Sequence, residues 1–137
     1  MSSLPPITVS SLDIARLEAM LESPALRQLP AAHALGEELA RANVVAPADM
    51  PADVVSMDSV VACLDENSGE SRLLTLVYPQ DADADQGKIS VLAPVGSALL
   101  GLSVGQHIDW PAPGGRTLRL TVTGIQYQPE AAGAIPG

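Results

Sequence analysis

The chain has 137 residues and a formal charge of −9, from sixteen acidic and seven basic residues. That length favours one domain, or one domain with a small appendage, and a hydrophobic content of 47% excludes a disordered tail. The excess of acid argues against binding to a phosphate backbone, and an aromatic content of 2% argues against a base-stacking surface, so we expect no direct nucleic-acid partner.

Compartment and redox state are read from the first residues and from the cysteine count. The single cysteine, Cys63, excludes an internal disulfide and a zinc site built from cysteines. Residues 1–6 contain no basic region and no long apolar run. We therefore expect no signal peptide, no membrane-spanning segment and a cytoplasmic location.

Residues 1–47 have a helical pattern. Ser10 followed by Asp13 fits a capping box, and apolar residues recur at helical spacing until Pro24 interrupts the pattern. A second helix is predicted from Pro30, because proline suits the first helical position. The short connection between the two helices predicts an antiparallel helical hairpin, a short coiled coil, over residues 1–47.

The second predicted helix carries a charge pattern and one glycine. Glu37 precedes Arg41 by four residues, which predicts an ion pair. Glu37 and Glu38 are expected on a solvated helix face. Gly36 lowers the helix propensity by about 1 kcal/mol relative to alanine, and we expect it to let the helices approach each other closely.

Residues 48–137 have a strand-like pattern. Strands are predicted at Val54–Met57, Val60–Leu64, Leu73–Tyr78, Lys88–Leu92, His107–Trp110 and Leu118–Tyr127. A short helix is predicted over Ser97–Leu102. The fold class is therefore α+β, with the helical hairpin followed by an antiparallel-dominated sheet domain that has one short helix.

Two motifs have the spacing of a ligand loop but lack its key residues. The segment Gly96–Ser103 has the glycine spacing of a phosphate-binding loop, but Leu102 stands where that loop needs lysine. The acidic run Asp81–Asp85 invites a calcium site, but Gln86 and Leu92 occupy the places of the required glycine and glutamate. We expect a glycine-bounded helix and a solvated acidic loop instead.

Nucleophilic chemistry is likewise not favoured. His107 and Asp109 share a strand face, but a triad also needs a positioned serine, and Ser97 lacks the glycine that a nucleophile elbow requires before it. Cys63 lies among apolar residues, so a buried, inert thiol is expected. We expect no catalytic residue, no cofactor and no metal site.

The stretch Ile89–Gly105 resembles the signature of the C-terminal domain of the Gre transcription factors. That signature is a strand, Ser/Ala-Pro, and then Gly-x-Ala-Leu-Leu-Gly-x-x-Val-Gly. The resemblance covers about residues 54–127, including Pro113 to Gly115 and Ile125 to Tyr127. A closer resemblance, to a short proteobacterial branch of the same family, covers nearly the whole chain. It is carried by Met50–Met57, Leu76–Pro79, Ala93–Gly96 and Tyr127–Gly133.

This resemblance implies an FKBP-like domain over residues 48–137 and binding to core RNA polymerase at the rim of its secondary channel, in competition with Gre factors. In Gre factors, acidic residues at the tip of a long coiled coil hold a magnesium ion for transcript cleavage. Here the tip, Ser23–Pro30, has no carboxylate, and Glu22 just before it is a lone acid. A first helix of about thirteen residues also rises only roughly 20 Å. We therefore expect a monomeric polymerase-binding regulator that is not an enzyme.

The expected partner-binding surface is the segment that carries the family signature. It comprises Ala93, Pro94, Val95 and Gly96, with Leu99 and Leu100 beside them. Pro94 and Val95 would supply apolar contact area, and N–H groups at the helix start would hold a partner carboxylate. The two leucines have a second interpretation, as residues of the core.

Two alternative functions follow from the same resemblance. The branch is named for regulation of nucleoside diphosphate kinase, and an effect on that kinase arises either through transcription, which we favour, or through direct contact. An FKBP-like fold also suggests prolyl isomerase activity as an alternative function. Such sites are usually aromatic-lined pockets, whereas this chain has three aromatic residues and no phenylalanine.

Overall fold

Two helices framed by two short strands form the N-terminal part of the chain. The structure is a computed structural model that describes residues 7–129 and residue 131. In chain order, its first elements are β1 (Thr8–Ser10), α1 (Ser11–Leu21), α2 (Pro30–Ala40) and β2 (Asn43–Val45). β1 and β2 pair in parallel, so the chain before α1 lies next to the chain after α2. We call residues 8–45 the helix pair.

Both helices begin where the sequence predicts. Ser10 is the N-cap of α1, and its hydroxyl accepts the N–H of Asp13 at 3.1 Å. α2 begins at Pro30, in the first helical position. The Asp13 carboxylate also accepts the N–H of Met57, 44 positions further along the chain, at 3.1 Å. The start of α1 is therefore bonded to the C-terminal part of the molecule.

The C-terminal part is a five-stranded sheet with a short helix on one face. Its elements are β3 (Val60–Asp65), β4 (Glu70–Val77), β5 (Lys88–Ser90), α3 (Pro94–Leu99), β6 (His107–Ala112) and β7 (Arg116–Tyr127). The strand order is β5-β4-β3-β7-β6. Neighbouring strands are antiparallel except β4 and β5, which are parallel. The predicted α+β class is confirmed.

The predicted strand at Val54–Met57 is wrong. Only Val54 forms a bridge, to Ser103. Val55 instead exchanges backbone hydrogen bonds with the segment after α3, donating to Leu102 at 2.8 Å and accepting from Gly101 at 2.9 Å. The apolar pattern was real, because Val54, Val55 and Met57 are buried, but it reflects burial between α3 and the helix pair rather than membership of the sheet.

The ion pair predicted in α2 forms with a different acid. Arg41 makes two hydrogen bonds to Glu38, at 2.7 and 2.9 Å, and Glu38 is only 5% exposed. Glu38 therefore does not lie on a solvated face as predicted. The structure does not require glycine at position 36 for the two helices to approach each other. A Cβ added there would be 3.9 Å from the Leu21 side chain, which is an ordinary van der Waals distance.

One hydrophobic core joins the helix pair and the sheet. The helix pair and the residue before it contribute Ile7, Val9, Leu17, Leu35 and Leu39 to this core. The C-terminal part of the chain contributes, among others, Val61, Leu76, Leu99, Leu102, Ile108 and Val122. The boundary predicted near residue 47 falls in a 3₁₀ turn, Pro47–Asp49. The parts on either side of that turn share their apolar interior.

Tyr78 lies where the helix pair meets the sheet. Its hydroxyl is buried and has no hydrogen-bond partner of good geometry among the described residues. Burial, and then the charge of Asp13, raises the pKa of Tyr78 to about 12, against the lowering effect of the nearby Arg16. The phenol is therefore neutral at physiological pH, and its titration reports on the charge of Asp13.

Candidate partner-docking site

The predicted docking segment lies at the start of α3, directly after β5. Ala93 is the N-cap and is half-buried, and Pro94 occupies the first helical position. The side chain of Pro94 is outside the described part of the structure. Val95 is half-buried at the margin of the core, and Gly96 is buried. The segment thus offers the side chains of Ala93 and Val95 in part to the surface.

Leu99 and Leu100 lie on the inner side of this segment. They are 1% and 2% exposed and belong to the hydrophobic core. The two leucines are therefore core residues, as their alternative interpretation predicted. They hold α3 against the sheet and do not form exposed surface. α3 has only six residues and begins with a proline, so its N-terminus by itself makes no carboxylate site.

The start of α3 is fixed against the end of β5 by close contacts. A Cβ on Gly96 would overlap the carbonyl oxygen of Ser90, so only glycine allows this approach. The Ser97 hydroxyl donates a hydrogen bond to the carbonyl oxygen of Val91 at 2.6 Å and is buried. Ser97 therefore has a structural role, and the docking segment is held in one conformation.

A cavity of about 170 Å³ opens beside the docking segment, between the sheet and α3. It is lined by Cys63, Asp65, Arg72, Leu74, Ile89, Val95 and Leu120. In the register of β3 and β4, Cys63 lies opposite Arg72, so these two side chains share a face of the sheet. Except for Val95, sequence reasoning did not combine these residues into a site, because they come from four strands whose registers the sequence does not reveal.

Cys63 forms part of the inner wall of this cavity. It is 2% exposed, and burial, its main influence, raises the pKa of the thiol, while Arg72 lowers it and Asp65 raises it further. The thiol is therefore protonated at neutral pH, and a nucleophilic role is not supported. The predicted burial of this thiol is confirmed.

The other polar motifs have local structural partners. Arg119 donates two hydrogen bonds to Asp109, at 2.9 and 3.2 Å, which lowers the pKa of that exposed carboxyl group. In the acidic loop, Asp83 accepts the N–H of Asp85 at 3.1 Å. Within residues 7–129 and 131, no three metal-ligating side chains form a group that could hold an ion. No helix in that same part of the chain is long and apolar enough to cross a membrane.

The loop between α1 and α2 covers residues 22–29. The ring Nε2–H of His33 donates a hydrogen bond to the carbonyl oxygen of Arg27 at 2.8 Å and so ties the loop to α2. Leu29 is 42% exposed. Residues 23–30 contain no acid, and α1, with eleven residues, rises about 16 Å. The loop end of the helix pair therefore reaches only a short distance, and its nearest acids are Glu22 and, one helical turn earlier, Glu18.

Comparison with known proteins covers nearly the whole chain. The family described as "Rnk N-terminus" matches residues 5–45, and "Transcription elongation factor, GreA/GreB, C-term" matches residues 50–127. The chain is 48% identical over 131 residues to the regulator of nucleoside diphosphate kinase of Escherichia coli, with 96% of each chain covered. It is 38% identical over 81 residues to transcription elongation factor GreA of Rhodospirillum rubrum, covering 59% of this chain and 52% of that protein.

A solved structure agrees with these matches. The prokaryotic transcription elongation factor GreA/GreB from Nitrosomonas europaea superposes with a TM-score of 0.71 at 50% identity, covering 90% of this chain and 99% of that one. The sheet domain with α3 is thus the C-terminal domain of a GreA/GreB-class protein. With both matched regions in sequence order, the chain belongs to the family of regulators of nucleoside diphosphate kinase, which confirms the resemblance seen in the sequence.

Proposed function

We propose that this protein regulates transcription by binding core RNA polymerase at the rim of the secondary channel, through the segment Ala93–Gly96. The observation that carries the proposal is the GreA/GreB match over residues 50–127, which includes this segment. Ala93 and Val95 are partly exposed on a rigid element there, which suits a docking contact. The helix pair serves as a short coiled coil and the sheet domain as an FKBP-like module. The protein binds as a monomer.

The contact itself is tested with purified core polymerase, with GreA as competitor. We expect saturable binding that GreA displaces. Val95→Asp should weaken it at least about tenfold, because a charge would be placed in an apolar contact. Val44→Asp is the matched control, since Val44 is 51% exposed on β2 of the helix pair and does not belong to the segment, and this change should leave the affinity unchanged. Equal affinities for both variants, with equal thermal stability, would remove this segment from consideration.

The proposed activity does not include transcript cleavage. Residues 23–30 contain no carboxylate, and Mg²⁺ requires oxygen ligands of that kind. The short reach of α1 also argues against delivery of a side chain to a buried active centre. On stalled elongation complexes we expect no shortened transcripts above background at saturating protein, with GreA as the positive control. Stimulated cleavage would contradict this part of the proposal.

A second candidate is direct regulation of nucleoside diphosphate kinase, which the name of the relative in Escherichia coli favours. The kinase effect then arises from contact between the two proteins rather than from altered transcription. Titration of purified kinase with this protein separates the routes. Binding or changed kinase activity without polymerase would support direct contact. No effect, together with competed polymerase binding, would support the transcriptional route.

A further inference from the structure

The cavity beside Val95 exists because the sheet is only partly covered on that face. β5 is three residues long and pairs with β4 only at Thr75, Leu76 and Val77. The part of β4 that carries Arg72 and Leu74 therefore extends beyond its outer neighbour, and Val95 of α3 lines the cavity together with these two residues. Apolar side chains line the space that remains.

The size of the cavity restricts what it can hold. An apolar cavity of about 150 Å³ takes one group the size of benzene, whereas small-molecule and cofactor sites usually measure about 300–1,000 Å³. At about 170 Å³, this cavity fits one aliphatic side chain and is too small for a nucleotide. Among the described residues that line it, five of seven are apolar, namely Cys63, Leu74, Ile89, Val95 and Leu120, so an aliphatic occupant matches this part of the wall chemically.

The charged part of the lining is available to a partner. The Arg72 guanidinium is 3.6 Å from Glu70, and both side chains are more than half exposed. Such an exposed ion pair contributes little, so Arg72 can exchange it for a carboxylate on a bound protein. Arg72 and Asp65 give the cavity one charge of each sign, which orients a docked segment.

We propose that this cavity is an anchor pocket for one aliphatic side chain of RNA polymerase, with a partner carboxylate paired to Arg72. We assign the occupant to RNA polymerase because the cavity adjoins the proposed docking segment. Val95 belongs both to that segment and to the wall of the cavity. A partner seated on the docking segment lies over this opening. The inference rests on the proposed function and extends its interface from α3 to β3 and β4.

Two neighbouring leucines allow a matched test. Leu74 lines the cavity, whereas Leu73, the preceding residue of β4, points to the opposite face of the sheet and is 51% exposed. Leu74→Trp fills the cavity with an indole and should weaken polymerase binding at least about tenfold. Leu73→Trp makes the same chemical change on the other face and should leave affinity unchanged.

The outcomes separate this inference from the proposed function. Weaker binding by Leu74→Trp alone supports both. Equal binding by wild type and Leu74→Trp overturns the anchor pocket but leaves polymerase binding intact. Weaker binding by Leu73→Trp alone places the contact on the opposite face and also overturns it. If the wild-type protein does not bind, the proposed function fails and the anchor pocket fails with it.

A second measurement on the wild-type protein does not depend on how the variants fold. Cys63 is the chain's one cysteine and lines the cavity, so its modification by methyl methanethiosulfonate, slow at neutral pH because the thiol is buried and protonated and therefore followed at alkaline pH, reports occupancy. Mass spectrometry of the peptide containing Cys63 gives the rate with and without saturating core polymerase. We expect modification to slow at least about tenfold in the complex. An unchanged rate in a saturated complex would show that the pocket stays empty and would overturn the proposal.

Discussion

Replacing Gly96 with alanine is expected to lower the free energy of unfolding by about 2–3 kcal/mol and to weaken polymerase binding in the fraction that remains folded. The added Cβ would overlap the carbonyl oxygen of Ser90, which is backbone and cannot rotate away. α3 must therefore move off the end of β5. That movement also displaces Val95, which links the docking segment to the adjacent cavity. Urea unfolding and polymerase affinity, measured on the same preparation, check both effects.

Gly36→Ala is the control for this substitution. Gly36 lies inside α2, where a Cβ would meet nothing closer than the Leu21 side chain at 3.9 Å. Alanine should leave the free energy of unfolding unchanged or raise it by up to about 1 kcal/mol, because glycine in a helix interior is unfavourable. Polymerase affinity should not change. If both glycine variants lose the same stability, close packing of α3 on β5 is not the cause.

Local sequence signals predicted the elements whose determinants are close together in the chain. The N-cap at Ser10 and the proline at position 30 act within a few residues, and both helices begin there. The strands of the sheet were located for the same reason. Val54–Met57 was mistaken for a strand because burial and β-branching are the same in a strand and in an extended core segment. Its backbone partners, Gly101 and Leu102, lie more than forty residues away.

The candidate site was predictable only in part for a related reason. The family resemblance identified Ala93–Gly96, because that signature is continuous in sequence. The cavity beside it depends on which residues of four strands face α3, and that is set by register. Val61 pairs with Leu74 and Cys63 with Arg72, while β7 has register shifts against β3. A shift of one residue would turn Arg72 to the opposite face, so the pattern of each strand alone does not define the pocket.

The connection between the helix pair and the sheet shows the same limit and has a large expected consequence. Ser10 and Asp13 read locally as a cap, and Ser10 performs that role. Asp13 also accepts the buried N–H of Met57, whose side chain is 3% exposed. The N–H of Thr8 in β1 adds a backbone bond to Gly101 at 3.1 Å. Together with the shared core, these contacts fix the direction in which the helix pair leaves the docking domain.

Asp13→Ala is therefore expected to lower the free energy of unfolding by about 2–3 kcal/mol, because it leaves the Met57 N–H buried without its acceptor. Asp13→Asn keeps an acceptor oxygen at the same place and should lose less. In both variants the pKa of Tyr78 should fall from about 12 towards 10, since the Asp13 charge is one of the causes that raise it. Urea unfolding and ultraviolet titration of the phenol provide the two measurements.

The titration must be assigned to Tyr78, since Tyr127 is also present and is 41% exposed. Tyr78→Phe removes the high-pH step and leaves the titration of Tyr127.

In the wild-type protein the raised pKa of Tyr78 makes a contribution to stability that is complete below pH 10 and is lost between pH 10 and about 12. In Asp13→Ala the loss should begin at the same pH but be smaller and end at a lower pH, because the folded pKa lies closer to the unfolded value. Equal stability of the alanine and asparagine variants would mean that the Asp13 acceptor does not hold the helix pair to the sheet, and an unchanged Tyr78 titration would mean that the Asp13 charge does not act on the phenol. A single unfolding transition in every variant is expected, because one core spans both parts of the chain.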